Sequence, residues 1–381
     1  MKYNITFCMY HIITGGIENI LLNVLEELSK YDKYNISVIS LQPVTETKFL
    51  EFFKKNNIKL MVVNTYVGAP RPKNFFKRKF QYFKRYLNNR KVRKLFKTND
   101  LLIDYFNGMF FKLFEKTNKC KKILFPHCSV KSFLLNKDKN IKKMLKVYDK
   151  IVCISQSFYN DMIVRYSNYK DKFTCIYNPI NFNKINNMLL EDDSHLKGKK
   201  FFTSVARLSP DKDHRTLLNA FAEFLKKEKY PDVYLYILGT GPLLEQWQEL
   251  CKSLQIDKNV VFCGNVLNPS VYVKHAIANI LSTFGEGLPT VLIESQIAKT
   301  LNIASNVECG ISEILLDGQG GILFEAENHI DLAQKMSDVY HNKVNTKQMI
   351  KNSEKALDRF DAKSICVKLD DLFDNIINNK K

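Results

Sequence analysis

No apolar run in this chain is long enough to cross a bilayer as a helix, so any membrane contact is expected to be peripheral. There is no Cys-x-x-Cys pair either. The nine cysteines stand singly, at Cys8, Cys120, Cys128, Cys153, Cys175, Cys251, Cys263, Cys309 and Cys366, which argues against a structural zinc site. Their odd number and the lack of a signal peptide point to reduced thiols in the cytosol. Glycine and proline are scarce, 14 and 10 residues in 381, too few for a fibrous repeat or a disordered chain. Internal repeats and low-complexity tracts are absent too. The remaining class is globular. Hydrophobic residues make up 45% of a chain too long for one core, and two domains of roughly 150–200 residues each are expected.

Acidic residues are missing from one region. Arg71–Lys97 holds 12 basic and no acidic side chains, and the net charge of +19 divides into +22 over residues 1–200 and −3 over 201–381. Within that segment Phe76, Phe80, Phe83 and Leu87 recur at helical spacing. A basic helix with an aromatic face suits an anionic membrane surface. Nucleic acid is the competing partner, and a solvated face whose aromatics fill the core is the third reading.

Strand-like runs at Tyr3–Met9, Asn35–Leu41, Ile58–Val63, Leu101–Tyr105, Lys122–Phe125, Ile151–Ser155 and Phe173–Tyr177 alternate with helical segments. That order predicts a mainly parallel sheet, opened by a strand, the turn Thr14-Gly15-Gly16 and an amphipathic helix. The pattern pauses at Asn178–Asn181 and through the polar stretch Glu191–Lys200, read as a surface loop or linker. A second series follows, with strands near Lys200–Val205, Val233–Leu238, Asn259–Cys263, Ala278–Leu281, Leu301–Ala304 and Gly321–Phe324, again separated by helices. Two α/β halves with a cleft between them are expected, and ligands bind such sheets at their carboxyl edges.

Two segments carry chemistry. In Phe284-Gly-Glu-Gly-Leu-Pro-Thr-Val-Leu-Ile-Glu-Ser295, Gly287 lets the backbone approach a ligand, and Pro289 suits the first helical position. The N–H groups of Thr290 and Val291 then form an anion site at the helix start, framed by Glu286 and Glu294. A phosphate between two hydroxyl-rich parts, as in a nucleotide sugar, fits this frame. In Val205-Ala-Arg-Leu-Ser-Pro-Asp-Lys-Asp-His-Arg215, the guanidinium of Arg207 and the ammonium of Lys212 can hold a diphosphate from two sides and offset the charge of a leaving phosphate.

Together these segments resemble the family 4 glycosyltransferases, retaining enzymes of the GT-B fold. Gly239-Thr-Gly-Pro-Leu-Leu244 resembles the family's Gly-x-Gly-Pro turn. Phe262-Cys-Gly-Asn-Val266 and Asn268-Pro269, with Tyr272 and Ala276, resemble its base-recognition loop and the helix after it. Ile176–Asn181 resembles the segment joining the two domains. The likeness is dense from about residue 150 to 325 and thin before that. It implies two Rossmann-like domains facing each other across a cleft: residues 1–180 for the acceptor and the membrane, residues 181–361 for the nucleotide sugar, and a C-terminal helix and tail, 362–381, packing back on the first. It further implies that Arg207 and Lys212 bind the donor diphosphate, Glu286 the donor sugar and Glu294 the ribose. Val266 would serve the base, and the backbone of Gly287, Leu288, Pro289, Thr290 and Val291 the sugar and phosphates. In the first half, Gly15 and Gly16 match the glycine-rich loop that approaches the donor phosphate. His127, in Pro126-His-Cys-Ser129, resembles the family's histidine near the reacting centre, although a lone histidine after a strand is more often packed or solvated.

The chain departs from the family pattern at Lys299-Thr300-Leu301-Asn302, where a small-residue turn is usual. Asp211-Lys-Asp213 spells a metal motif of another glycosyltransferase fold, but Lys212 between the carboxylates opposes a cation. The two acids are read as helix N-terminal, with no metal or cofactor. The expected function is transfer of a hexose or N-acetylhexosamine from a nucleotide sugar, most simply a UDP-sugar, to a hydroxyl of a lipid-linked or polysaccharide glycan. The expected place is the cytoplasmic face of a membrane, reached through Arg71–Lys97, without nucleic acid. A sugar-nucleotide epimerase, a non-catalytic sugar-binding scaffold and a nucleic-acid-binding protein are the alternatives.

Overall fold

The computed structural model describes residues 2–63, 90, 92–117, 119–135, 138–229 and 231–378. The chain forms two compact units, Met1–Pro179 with Ala362–Lys381, and Ile180–Asp361. Ile180 falls in the second unit and not the first, because its N–H donates to the carbonyl of Phe360 at 2.8 Å.

The first unit is a parallel sheet of β1 (Tyr3–Met9), β2 (Tyr34–Ser40), β3 (Lys59–Val62), β4 (Leu101–Asp104), β5 (Lys121–Leu124), β6 (Lys150–Cys153) and β7 (Phe173–Cys175), in the order 3-2-1-4-5-6-7. β1 pairs along its whole length with β2, Tyr3 opposite Tyr34 through Met9 opposite Ser40. Buried on both faces, these strands read as apolar runs. Helix Gly16–Leu28 buries Ile20, Leu21, Val24, Leu25 and Leu28, one stripe at helical spacing, and packs with helix Ala362–Asn378 through Ile365, Leu369 and Phe373. Polar ties clasp the C-terminal helix as well. Lys33 Nζ lies 2.8 Å from Asp370 and 2.6 Å from Asp374, and the Tyr34 hydroxyl donates to Asp370 at 2.5 Å.

The second unit repeats the plan with β8 (Phe201–Val205), β9 (Tyr234–Leu238), β10 (Val260–Gly264), β11 (Asn279–Leu281), β12 (Asn302–Asn306) and β13 (Ile322–Glu325), ordered 10-9-8-11-12-13 and parallel throughout. Helix His214–Lys227 covers it with Leu217, Leu218, Phe221, Phe224 and Leu225. The Asp213 carboxylate caps that helix by accepting from Thr216 N at 3.1 Å, a bond worth about 1 kcal/mol. In both sheets the strand order reverses at one point, beside β1 and β4 in the first and beside β8 and β11 in the second. The loops leaving the carboxyl ends of those strands form the crevice where doubly wound sheets hold ligands.

Of the basic aromatic segment, Arg71–Asn89 and Lys91 lie outside the described residues. At its end Val92 and Phe96 are buried, with Phe96 edge-on to Phe114 at 5.3 Å. Among the described residues no helix is long and apolar enough to cross a membrane.

Candidate active site

In the second unit, the loop leaving β8 and the loop leaving β11 are stitched to each other. Lys212 and Thr283 form an antiparallel bridge. Asp213 N donates to Ser282 O at 3.1 Å, and the Asp211 carbonyl accepts from Phe284 N at 3.3 Å and from Thr283 Oγ1 at 3.1 Å. This pairing brings together residues more than seventy positions apart: the Lys212 ammonium bonds the Glu286 carboxylate, with side chains only 12% and 14% exposed. Arg207 projects from the same loop, 75% exposed, with its guanidinium 3.6 Å from Asp211. Burial raises the Asp211 carboxyl pKa, but the Ser209 hydroxyl and the charges of Lys212 and Arg207 outweigh it and leave the group below its usual range. An ammonium has three donors, so Lys212 keeps capacity for a phosphate oxygen while it holds Glu286.

The Gly-x-Gly turn after β9 supports this loop from below. Leu208 N donates to Thr240 O at 3.0 Å, and Leu243 N to Leu208 O at 3.2 Å. Gly239 has φ +144°, and a side chain there would run into the Ala206 carbonyl; one on Gly241 would run into the carbonyl of Leu208. Both positions need glycine because two backbones meet.

Helix Thr290–Ile297 begins where the second loop ends. Pro289 stands at its N-cap, with φ −73° and ψ 101°, and not at its first helical position as expected. Its ring cannot cap, and the N–H groups of Thr290 and Val291, in the helix's first turn, have no acceptor within the helix. Gly287 offers its carbonyl to Gly310 N at 3.2 Å, and Leu288 is buried. One turn into the helix, Glu294 lines a small pocket with Val205, Pro269, Ser270, Val273 and Val291. Burial pushes its carboxyl up, against the hydrogen bond from Thr290 and the more distant charge of Lys184. A half-buried carboxylate in such a pocket is suited to a ligand that brings hydroxyls. Val266 follows β10 and packs with the cluster around Tyr236 and Val271, apart from the Lys212–Glu286 pair.

In the first unit, Gly15 is the N-cap of helix Gly16–Leu28, with extended backbone, and Gly16 is its first residue with open space around it. Thr14 is pinned beside them by Glu46, which accepts from Thr14 N at 2.6 Å. His11 Nδ1 lies 3.2 Å from the buried Glu18, and its ring meets Phe106 at 4.8 Å. His127 follows β5, and its ring nitrogens are buried. Burial lowers its imidazole pKa to about 3.

Arg207, Lys212 and Glu286 thus converge, Glu294 lies along the same crevice, and Gly15, Gly16 and His127 belong to the other unit. Asp213 is helix N-terminal as expected. Asp211 is not: it lies before the cap and faces Arg207 and Lys212, since the loop turns back toward β11 before the helix starts. Sequence reasoning passed over Ser270 and Val273 in the wall of the Glu294 pocket; the Asn268-Pro269 helix start was the available signal, as Asn268 caps that helix through Ser270 N at 3.0 Å.

Residues 190–356 match the family model of glycosyl transferases group 1. The N-acetylgalactosamine-N,N'-diacetylbacillosaminyl-diphospho-undecaprenol 4-alpha-N-acetylgalactosaminyltransferase of Campylobacter jejuni is 30% identical over 208 residues, 52% of this chain and 55% of that protein. The chain therefore spans about half the length of that relative. An uncharacterized glycosyltransferase of Haemophilus influenzae is 26% identical over 332 residues, 86% of this chain and 87% of its own. Among solved structures, Anabaena HepE in complex with UDP and glucose superposes with a TM-score of 0.79 at 15% identity, covering 98% of this chain and 100% of that one. The architecture is the GT-B fold, with two Rossmann-like α/β units.

Proposed function

We propose that this chain is a retaining glycosyltransferase of family 4 that transfers a hexose or N-acetylhexosamine from a UDP-sugar to a hydroxyl of a lipid-linked or polysaccharide glycan. The observation that carries the reading is the stitched pair of loops at the β8/β11 switch point, where Lys212, Arg207 and Glu286 meet beside an uncapped helix start. Arg207 and Lys212 would bind the diphosphate and stabilise the charge that gathers on it as the glycosidic bond breaks. Glu286 would accept from hydroxyls of the donor sugar. Glu294 would accept from the ribose diol. Gly287–Val291 would offer backbone groups to the sugar and phosphates, Val266 to the base, and Gly15 and Gly16 backbone N–H groups to the phosphate.

The leaving phosphate oxygen would take the acceptor's proton as the new bond forms on the face the phosphate leaves, so no protein nucleophile and no metal is required. The Campylobacter relative is named for an α-linked product and an undecaprenol-linked substrate, which supports an α product and a lipid-linked acceptor here. The Anabaena complex with UDP supports the base. The basic segment Arg71–Lys97 is proposed to hold the enzyme on the inner face of the membrane.

A thermal-shift screen against UDP-, GDP- and ADP-sugars tests the donor assignment. A ligand at a hundred times its Kd stabilises by about 2.7 kcal/mol, enough to raise the melting temperature by several degrees. UDP-sugars should produce that rise, and Glu294→Ala should abolish it. Equal or larger rises with the other nucleotides would overturn the base assignment.

A further inference from the structure

The loop leaving β4 takes no part in the donor chemistry described above, yet it is tightly held beside His127. Asp104, the last residue of β4, is fully buried. One carboxylate oxygen accepts from Phe110 N at 2.9 Å and from the Tyr148 hydroxyl at 2.7 Å; the other accepts from Phe106 N at 3.3 Å. Gly108 N donates to the same carboxylate. Three backbone donors and one phenol converging on one acceptor bend residues 105–110 into a tight path, with Asn107 at φ +53° and Gly108 at φ +82°. At φ +82° position 108 favours glycine, and a residue with a side chain could occupy it only with strain.

At the crest of this loop the Asn107 side-chain carbonyl accepts from His127 N at 2.6 Å. The His127 ring rests against Tyr105, 4.5 Å between centroids, and lies nearly parallel to Phe125 at 14° and 6.1 Å. Its Nδ1 and Nε2 are both buried without a hydrogen-bond partner among the described residues. Buried polar atoms are normally satisfied, so the hydrogen bonds of both nitrogens are left for a group that the described residues do not supply. Held neutral, the ring has one N–H to donate and one nitrogen to accept, which suits a sugar hydroxyl.

We propose that Asn107 is a positioning residue for His127: its amide oxygen fixes the backbone from which the imidazole meets a substrate hydroxyl, and Asp104 anchors the loop that presents it. The proposal rests on the reading of His127 as a residue near the reacting centre. Nothing in sequence spacing joins Asp104, Asn107, His127 and Tyr148; the carboxyl ends of β4 and β5 bring the first three together, and Tyr148 reaches Asp104 from the turn before β6.

The test is steady-state turnover of a UDP-N-acetylhexosamine by Asn107→Gly, Asn107→Asp and His127→Ala. Glycine tolerates the positive φ at position 107 and removes only the amide, so the fold should survive. Asn107→Gly should lower kcat about tenfold or more, the effect of misplacing a group at a reacting centre, while donor KM stays within about twofold. Asn107→Asp offers a carboxylate oxygen to the same N–H and tolerates the same backbone, so it should restore most of the turnover. Wild-type kcat in Asn107→Gly, or Asn107→Asp as slow as Asn107→Gly, with His127→Ala impaired, overturns the positioning role and leaves the reading of His127 standing. Wild-type turnover in His127→Ala removes that reading and the proposal with it.

Discussion

Replacing Lys212 by Met keeps most of the side chain's apolar stem and deletes the ammonium that joins the two loops. Glu286 is then left with its charge, 14% exposed, near the carboxylate of Asp211. Removing one partner of a fully buried ion pair costs about 3–5 kcal/mol. The residual exposure of this pair allows some screening by solvent, so about 2–3 kcal/mol of stability should be lost. Donor affinity should fall by a charge-assisted hydrogen bond, about 1.5–3 kcal/mol, or roughly 10–150-fold. The two losses separate in a double-mutant cycle. Adding Glu286→Gln removes the stranded charge and should recover most of the stability, a coupling of about 1–3 kcal/mol, without recovering donor binding or turnover. Urea unfolding of the four proteins gives the coupling, and calorimetric titration with UDP gives the affinity. Additive stabilities, or UDP binding in Lys212→Met equal to that of the parent, would refute the loop-joining role and the diphosphate role respectively.

Gly241→Ala should be destabilised by about 1–3 kcal/mol and lose UDP-dependent stabilisation, because the added methyl pushes the Leu208 carbonyl and with it the Arg207 loop; a melting curve with and without UDP checks both. His214 is 2% exposed beside Trp247, and burial lowers its pKa from 6.5 to about 4. The unfolded imidazole therefore binds a proton in a window where the folded one does not, so stability falls as pH drops from 6.5 towards 4. The contribution is about 2 kcal/mol between pH 7 and pH 5. His214→Gln should lack that component in urea unfolding, and an unchanged difference between the two pH values would count against it. The basic segment should bind anionic liposomes and release them as salt rises, since each Lys or Arg adds about 1 kcal/mol near such a surface. Co-sedimentation of a variant with Lys77, Arg78, Lys79, Lys84 and Arg85 all changed to Ser should show that binding lost.

The fold was legible because both sheets are parallel and largely buried, so most strands show as short apolar runs between helices. Helix Thr346–Lys355 was not legible: it buries Ser353 alone, and without an apolar stripe its sequence gives no period to read. Glu191–Lys200 reads as a solvated linker, yet Asp193 is 8% exposed and accepts from Lys274 at 2.8 Å and pairs with His275 Nε2 at 2.7 Å. Its polarity is local, whereas its partners lie more than eighty residues further on. The donor-site candidates were visible because a helix start framed by two glutamates and a loop with Arg and Lys are contiguous motifs. The backbone stitching that joins them is not contiguous, and neither is the route from Asp104 through Asn107 to His127.

The central claim, that the second unit holds an α-linked UDP-sugar and that configuration at the anomeric carbon survives the reaction, is tested most directly by following donor hydrolysis by proton NMR in excess EDTA. Released N-acetylhexosamine should appear first as the α anomer, before mutarotation mixes it, at a rate unaffected by the chelator. A β anomer at the earliest times, or hydrolysis lost in EDTA and restored by Mg²⁺ or Mn²⁺, would contradict it.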